Sequence, residues 1–146
     1  LRGHPAVEHA GFLHDAEKEY VEARAVIALV GGVPVPSADD LGVGGPAYLR
    51  GLAEAASELR RHLLDRLRDG ELARAEELLG LMDDVYEALS TVDFPDAITA
   101  GLRRTLDALR AVLERSRGDL TTTVLQVRLQ HALESAARTV DDAGPG

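Results

Sequence analysis

The chain has 146 residues and a mass of 15.6 kDa, with 25 acidic residues against 16 basic ones and a net charge of −9. It is long enough for one domain with a real core, and its charge disfavours non-specific duplex binding. With no cysteine there is no disulfide framework, thiolate metal site or thiol nucleophile, which fits a reducing cytoplasm. No apolar run approaches the length of about eighteen residues that a membrane span needs, so no membrane partner is expected.

Apolar residues make up 45% of the chain but include only two Phe and three Tyr, so the core must be built from Leu, Ala and Val, which suits helices. The first predicted helix runs from about Val7 to Val30, with Phe12, Leu13, Ala16, Tyr20, Ala23, Ile27 and Val30 recurring every three or four residues. Gly31-Gly32 ends it. Glycines, Pro34 and Pro36 make 31–45 an interhelical loop, in which Ser37 would cap a short helical turn. Pro46 fits the first turn of a second helix, which continues to about Asp69 through Leu49, Leu52, Ala56, Leu59, Leu63 and Leu67.

Gly70 breaks this helix and predicts a tight hairpin into a third, Glu71 to Ser90, carrying Leu72, Ala75, Leu78, Leu79, Met82, Val85, Tyr86 and Leu89. The Phe94-Pro95 turn leads to a fourth helix from Asp96 to Ser116, with Ile98, Leu102, Leu106, Leu109, Val112 and Leu113 as its stripe and Gly118 closing it. Asp119 or Thr121 would cap a fifth helix through Val124, Leu125, Val127, Leu129, Leu133 and Ala137, before a flexible tail at 141–146. No alternating run argues for a strand. The expectation is a single all-α domain over residues 1–146, an antiparallel helical bundle of about five helices.

The candidate chemistry lies in two pairs of carboxylates. Glu19 and Glu22 fall on the first helix and Glu54 and Glu58 on the second. At about 100° per residue each pair shares a helix face, where like charges repel unless a cation intervenes. A divalent cation between the helices would offset that repulsion and stabilise a phosphate. The alternative is an acidic surface or ordinary ion pairs with Arg24, Arg61 or His62. Composition alone predicts about four acidic pairs at any one helical spacing. His4, His9 and His14 are five residues apart, about 140° around a helix, which scatters them rather than building a metal site. Arginine clusters at Arg60-Arg61, Arg66-Arg68, Arg103-Arg104-Arg110 and Arg115-Arg117 read as solvated or paired, and none singles out a nucleic-acid-binding residue. No nucleophile elbow, phosphate loop or dinucleotide fingerprint is present.

The segments Glu19-Tyr20-Val21-Glu22-Ala23, Pro36-Ser37-Ala38-Asp39-Asp40-Leu41-Gly42-Val43 and Ala47-Tyr48-Leu49-Arg50-Gly51-Leu52-Ala53-Glu54-Ala55-Ala56-Ser57-Glu58-Leu59-Arg60 resemble, in order and spacing, the translin family. Arg68-Asp69-Gly70-Glu71 and Asp93-Phe94-Pro95 extend the resemblance across nearly all of Pro5 to Val140, as in archaeal and bacterial members. Members usually carry a further N-terminal helical region, so the start at Leu1 is expected to be truncated. The resemblance implies binding of single-stranded RNA or DNA by a homo-oligomer shaped as a ring or shell. Its catalytic branch, translin-associated protein X, implies a Mg²⁺-dependent endoribonuclease, with Mn²⁺ as the alternative ion. That branch's acidic cluster falls on Glu19, Glu22, Glu54 and Glu58 as catalytic and metal-binding residues, with Glu54 standing where the family pattern has aspartate. A non-catalytic binder of single-stranded nucleic acid, or a purely oligomeric scaffold, are the competing expectations.

Overall fold

The computed structural model describes residues 5–93 and 96–144. His4, the Phe94-Pro95 turn and the last two residues of the tail lie outside the described residues, as do the side chains of His9, Asp96 and Ile98. Five helices follow in order: α1 (Pro5–Gly31), the single turn α2 (Ala38–Leu41), α3 (Gly45–Arg68), α4 (Leu72–Ser90) and α5 (Asp96–Asp142). The described residues contain no strand, which matches the all-α class, and no helix among them is long and apolar enough to cross a membrane.

Local chemistry sets several boundaries where the residue pattern places them. Ser37 caps α2 with a reciprocal box, its hydroxyl accepting from the Asp40 amide at 3.1 Å while its own amide donates to the Asp40 carboxylate at 3.0 Å. Gly70 takes φ +77° in the turn between α3 and α4, a left-handed conformation that costs side-chain-bearing residues energy, and this tight turn folds α4 back on α3.

Helix α3 is the centre of the bundle, packed against α1, α4 and α5, while α4 also packs on α5. Its Leu59 and Leu63 join Ala53 and Ala56, Leu78 and Met82 of α4, and Leu109, Leu113 and Leu120 of α5 in one core. Burying each such leucine contributes roughly 1.5–3 kcal/mol.

Three findings depart from the sequence expectation. First, α1 and α3 run parallel. Contacts advance together along both helices, His14 meeting Arg50, Lys18 meeting Glu54, and Val30 lining a cleft with His62. Helices α3 and α5 are parallel by the same criterion, Arg50 lying beside Gly101 and Arg60 reaching Asp119. Of the four long helices, α4 alone runs the other way. The connection 32–44 is long enough, at up to about 3.3 Å per residue, to carry the chain back to the start of α3.

Second, α1 buries Val21, Ala25, Ala28 and Leu29, while Phe12 (77% exposed) and Ile27 (67% exposed) of the predicted stripe face outwards. Third, the predicted fourth and fifth helices are one continuous α5 of 47 residues, about 70 Å long. Gly118 does not close a helix and Asp119 does not cap one. Buried Leu113 and Ser116 before the glycine and Leu120 after it lie against the bundle. Their packing outweighs the roughly 1 kcal/mol helix penalty of one glycine.

Candidate functional site

The seam between α1 and α3 places Glu22 beside Glu54 and Glu58, three of the four carboxylates singled out from the sequence. Its closest point is Gly51. A Cβ added there would lie 2.6 Å from Val21 Cβ, 2.7 Å from Val21 Cγ1 and 2.8 Å from the Lys18 carbonyl oxygen. Only a residue without a side chain permits this approach. Small residues continue the seam, with Ala25 and Ala28 buried on α1 and Ala47 and Ala55 on α3.

The parallel register then aligns charges above and below Gly51. Lys18 and Glu54 form an ion pair of 3.3 Å across the seam, with the lysine side chain only 17% exposed and the glutamate 32%. One turn further along α1, half-buried Glu22 faces Glu54 and Glu58. Burial raises the Glu22 carboxyl above the ordinary glutamate range. The negative charge of Glu54, a hydrogen bond shared with Glu54, and the charge of Glu58 push it further up, while Lys18 pulls it down. Glu58 is held from its other side by Arg61 at 2.9 Å.

Of the four predicted carboxylates, Glu22 of α1 therefore lies within the field of Glu54 and Glu58 of α3. Glu19 is exposed and is not among the charges acting on Glu22. The donor set of three carboxylates suits a hard divalent cation, and Lys18 supplies positive charge among them. Among the described residues no group of three or more His, Asp or Glu side chains stands at ligating geometry, so the glutamates would have to close further around an ion.

Two residues central to this arrangement escape a reading based on acidic spacing. Lys18 is the only lysine in the chain and sits four residues before Glu22, a spacing that places both on one helix face. Arg50 reaches across the seam to His14 Nε2 at 3.3 Å, and its Nε is buried without a partner among the described residues. Of the partners weighed for the carboxylates, Arg61 is used. Arg24 instead donates to the Tyr20 hydroxyl at 2.8 Å and lies 5.7 Å over that ring. His62 lines a cleft of about 490 Å³ with Val30, Arg66, Glu71, Arg74 and Leu78.

The arginine clusters are largely paired. Arg60 binds Asp119, Arg66 binds both Asp69 and Glu71, Arg110 binds Glu114 and Arg117 binds Asp83. Arg74 donates to Glu77 and to the Val30 carbonyl at the end of α1, both at 2.7 Å.

No protein-family model matches the chain. It is 31% identical over 128 residues to the uncharacterized protein MJ0175 of Methanocaldococcus jannaschii, a match covering 87% of this chain and 57% of that protein. Among solved structures it resembles the crystal structure of AfC3PO, with a TM-score of 0.73 and 36% identity over 82% of this chain and 63% of that one. It also resembles the AfC3PO–duplex RNA complex, with a TM-score of 0.69 and 34% identity over 77% of this chain and 59% of that one. The chain thus spans less than two thirds of the length of these relatives.

Proposed function

From the premise that this chain is a translin-like protein, we propose that it binds RNA and cleaves phosphodiester bonds of single-stranded RNA as a Mg²⁺-dependent endoribonuclease. The observation that supports the reading is the placement of Glu22 of α1 beside Glu54 and Glu58 of α3, close enough for their charges to raise the Glu22 carboxyl. The solved AfC3PO complex with duplex RNA supports RNA as the ligand class.

Glu54 and Glu58 are the metal-holding carboxylates of the proposal, and Glu22 shares that role with a second. Glu22, placed on α1 beside Glu54 and Glu58, is the carboxylate of the proposal that would accept the proton from an attacking water or hydroxyl. Glu19, exposed on α1, is the fourth carboxylate of the proposal. The bound cation supplies positive charge against the phosphate oxygens during cleavage. Exposed Phe12 and Ile27 on α1, with Leu125, Leu129 and Leu133 on α5, support assembly into a homo-oligomer.

One observation favours a second reading, that of a non-catalytic binder of single-stranded nucleic acid. Glu54 and Glu58 already have cationic partners in Lys18 and Arg61. The two readings separate in a cleavage assay on single-stranded and duplex RNA with Mg²⁺, with EDTA, and with Glu22→Ala. The nuclease gives product that is lost on chelation and reduced at least a hundredfold, roughly the contribution of a positioned acid–base group, in the variant. Cleavage unchanged in Glu22→Ala refutes the site, and RNA retention without product, insensitive to EDTA, selects the binder.

A further inference from the structure

We propose that Lys18 is a tethered cation. In the metal-free chain its ammonium supplies, at Glu54, the positive charge that a divalent ion would otherwise provide, so the two compete for the same carboxylate. This inference rests on the metal-dependent reading above and adds to it a residue that sets ion affinity.

Three observations converge on the assignment. Lysine occurs once in a chain whose other fifteen basic residues are arginines, and that one lysine stands in the carboxylate seam. Its side chain is less exposed than the glutamate it pairs with, so the contact is more enclosed than an ordinary surface pair. Its own backbone is held in place, because the Lys18 carbonyl lies in the closest approach to Gly51.

The chemistry of lysine then matters. Its ammonium is a compact point charge on a flexible four-carbon stem, able to withdraw by rotamer changes without moving the helix. A guanidinium at the same place would grip a carboxylate with two parallel hydrogen bonds and be harder to displace. Three carboxylates against the Lys18 ammonium and the Arg61 guanidinium leave one net negative charge in the seam. Exchanging the ammonium for a divalent ion cancels it, so the exchange is favoured by charge while the covalently attached ammonium keeps affinity moderate.

The test is Mn²⁺ binding to the intact chain without RNA, read by electron paramagnetic resonance or calorimetry, for wild type, Lys18→Gln and Lys18→Arg. Removing the competitor should tighten Mn²⁺ binding by about two- to fivefold in Lys18→Gln, the scale of a partly exposed ion pair. Lys18→Arg should weaken it below wild type. Thermal melting gives the second readout. Lys18→Gln should melt below wild type in EDTA, and saturating Mn²⁺ should close the gap, as expected when one cation replaces another.

Equal or weaker Mn²⁺ binding by Lys18→Gln, with wild type still binding, overturns this role and leaves the metal-dependent reading intact. The same holds for tighter binding by Lys18→Arg, the arm that decides if the glutamine variant does not fold. Failure of every form to bind millimolar Mn²⁺ overturns both.

Discussion

Replacing Gly51 by alanine tests whether the close approach of α1 and α3 holds the site together. The added methyl would lie 2.6–2.8 Å from three atoms, against the 3.5–4.0 Å at which carbon atoms attract, so the helices must separate locally by about 1 Å. Neither obstacle yields easily. Val21 is fully buried, and the Lys18 oxygen belongs to helical backbone. Overpacking of this kind costs about 1–3 kcal/mol, from which the better helix propensity of alanine recovers about 0.5–1 kcal/mol. The net loss is centred near about 1 kcal/mol, within a range of about 0–2.5 kcal/mol, and a loss of about 1 kcal/mol lowers the melting point by roughly 4 °C for a domain of this size.

The matched control is Gly118→Ala, the same chemical change in another helix, where a Cβ meets nothing within 4 Å. It should raise stability by about 0.5–1 kcal/mol. Melts of the two variants followed by circular dichroism should therefore move in opposite directions. A Gly51→Ala protein that melts with or above wild type would refute the tight seam, and with it the placement of Glu22 against Glu54.

Two further outcomes follow from the same geometry. Because the Glu22 carboxyl titrates above its unfolded value near 4.3, the folded chain binds that proton more tightly, so this contribution is full below pH 4.3 and is lost as pH rises through the raised native value. Glu22→Gln in EDTA should accordingly be more stable than wild type at pH 7, by a few tenths of a kcal/mol after solvent screening, and lose that advantage near pH 4; urea titrations at both pH values check it. Arg60 donates to Ser116 Oγ at 3.2 Å and Asp119 Oδ2 at 2.7 Å, tying α3 to α5 on either side of Gly118. Arg60→Ala should cost about 1–2 kcal/mol and speed amide exchange in α5 around residues 116–123, whereas unchanged exchange there would show that apolar packing alone holds the helix.

How far the fold was legible depended on which force dominated locally. In α3 and α4 the burial of Leu59, Leu63, Leu78, Met82 and Leu89 follows helical periodicity, because these large apolar residues lie in the core they were expected to fill. In α1 the same rule selected the wrong face. Phe12, Tyr20 and Ile27 are the larger residues, but a seam set by Gly51 accepts only small ones, so Val21, Ala25 and Ala28 are buried instead. Gly118 misled for a related reason, since its local penalty is outweighed by Leu113, Ser116 and Leu120 packing on the bundle. Spacing showed that each glutamate pair shares a helix face. It could not show the parallel register between α1 and α3, which depends on the course of residues 32–44 and decides that Lys18 meets Glu54 while Glu19 stays outside.

The small-residue seam also explains why these charges interact at all. Helix axes pack about 8–10 Å apart according to the size of the side chains between them. Leucines at the crossing would hold the axes at the wide end of that range and leave the glutamates to the solvent. With Gly51 at the contact there is no room for a side chain between α1 and α3 at that point, and Glu22 is half-buried beside Glu54. The repulsion this creates opposes the same packing that brings the carboxylates together, and positive charge in the seam offsets it. Lys18 and Arg61 supply positive charge in the free chain. In the proposed metal-bound state a divalent ion takes over the place of Lys18, and the elements that limit stability are then the ones that set affinity.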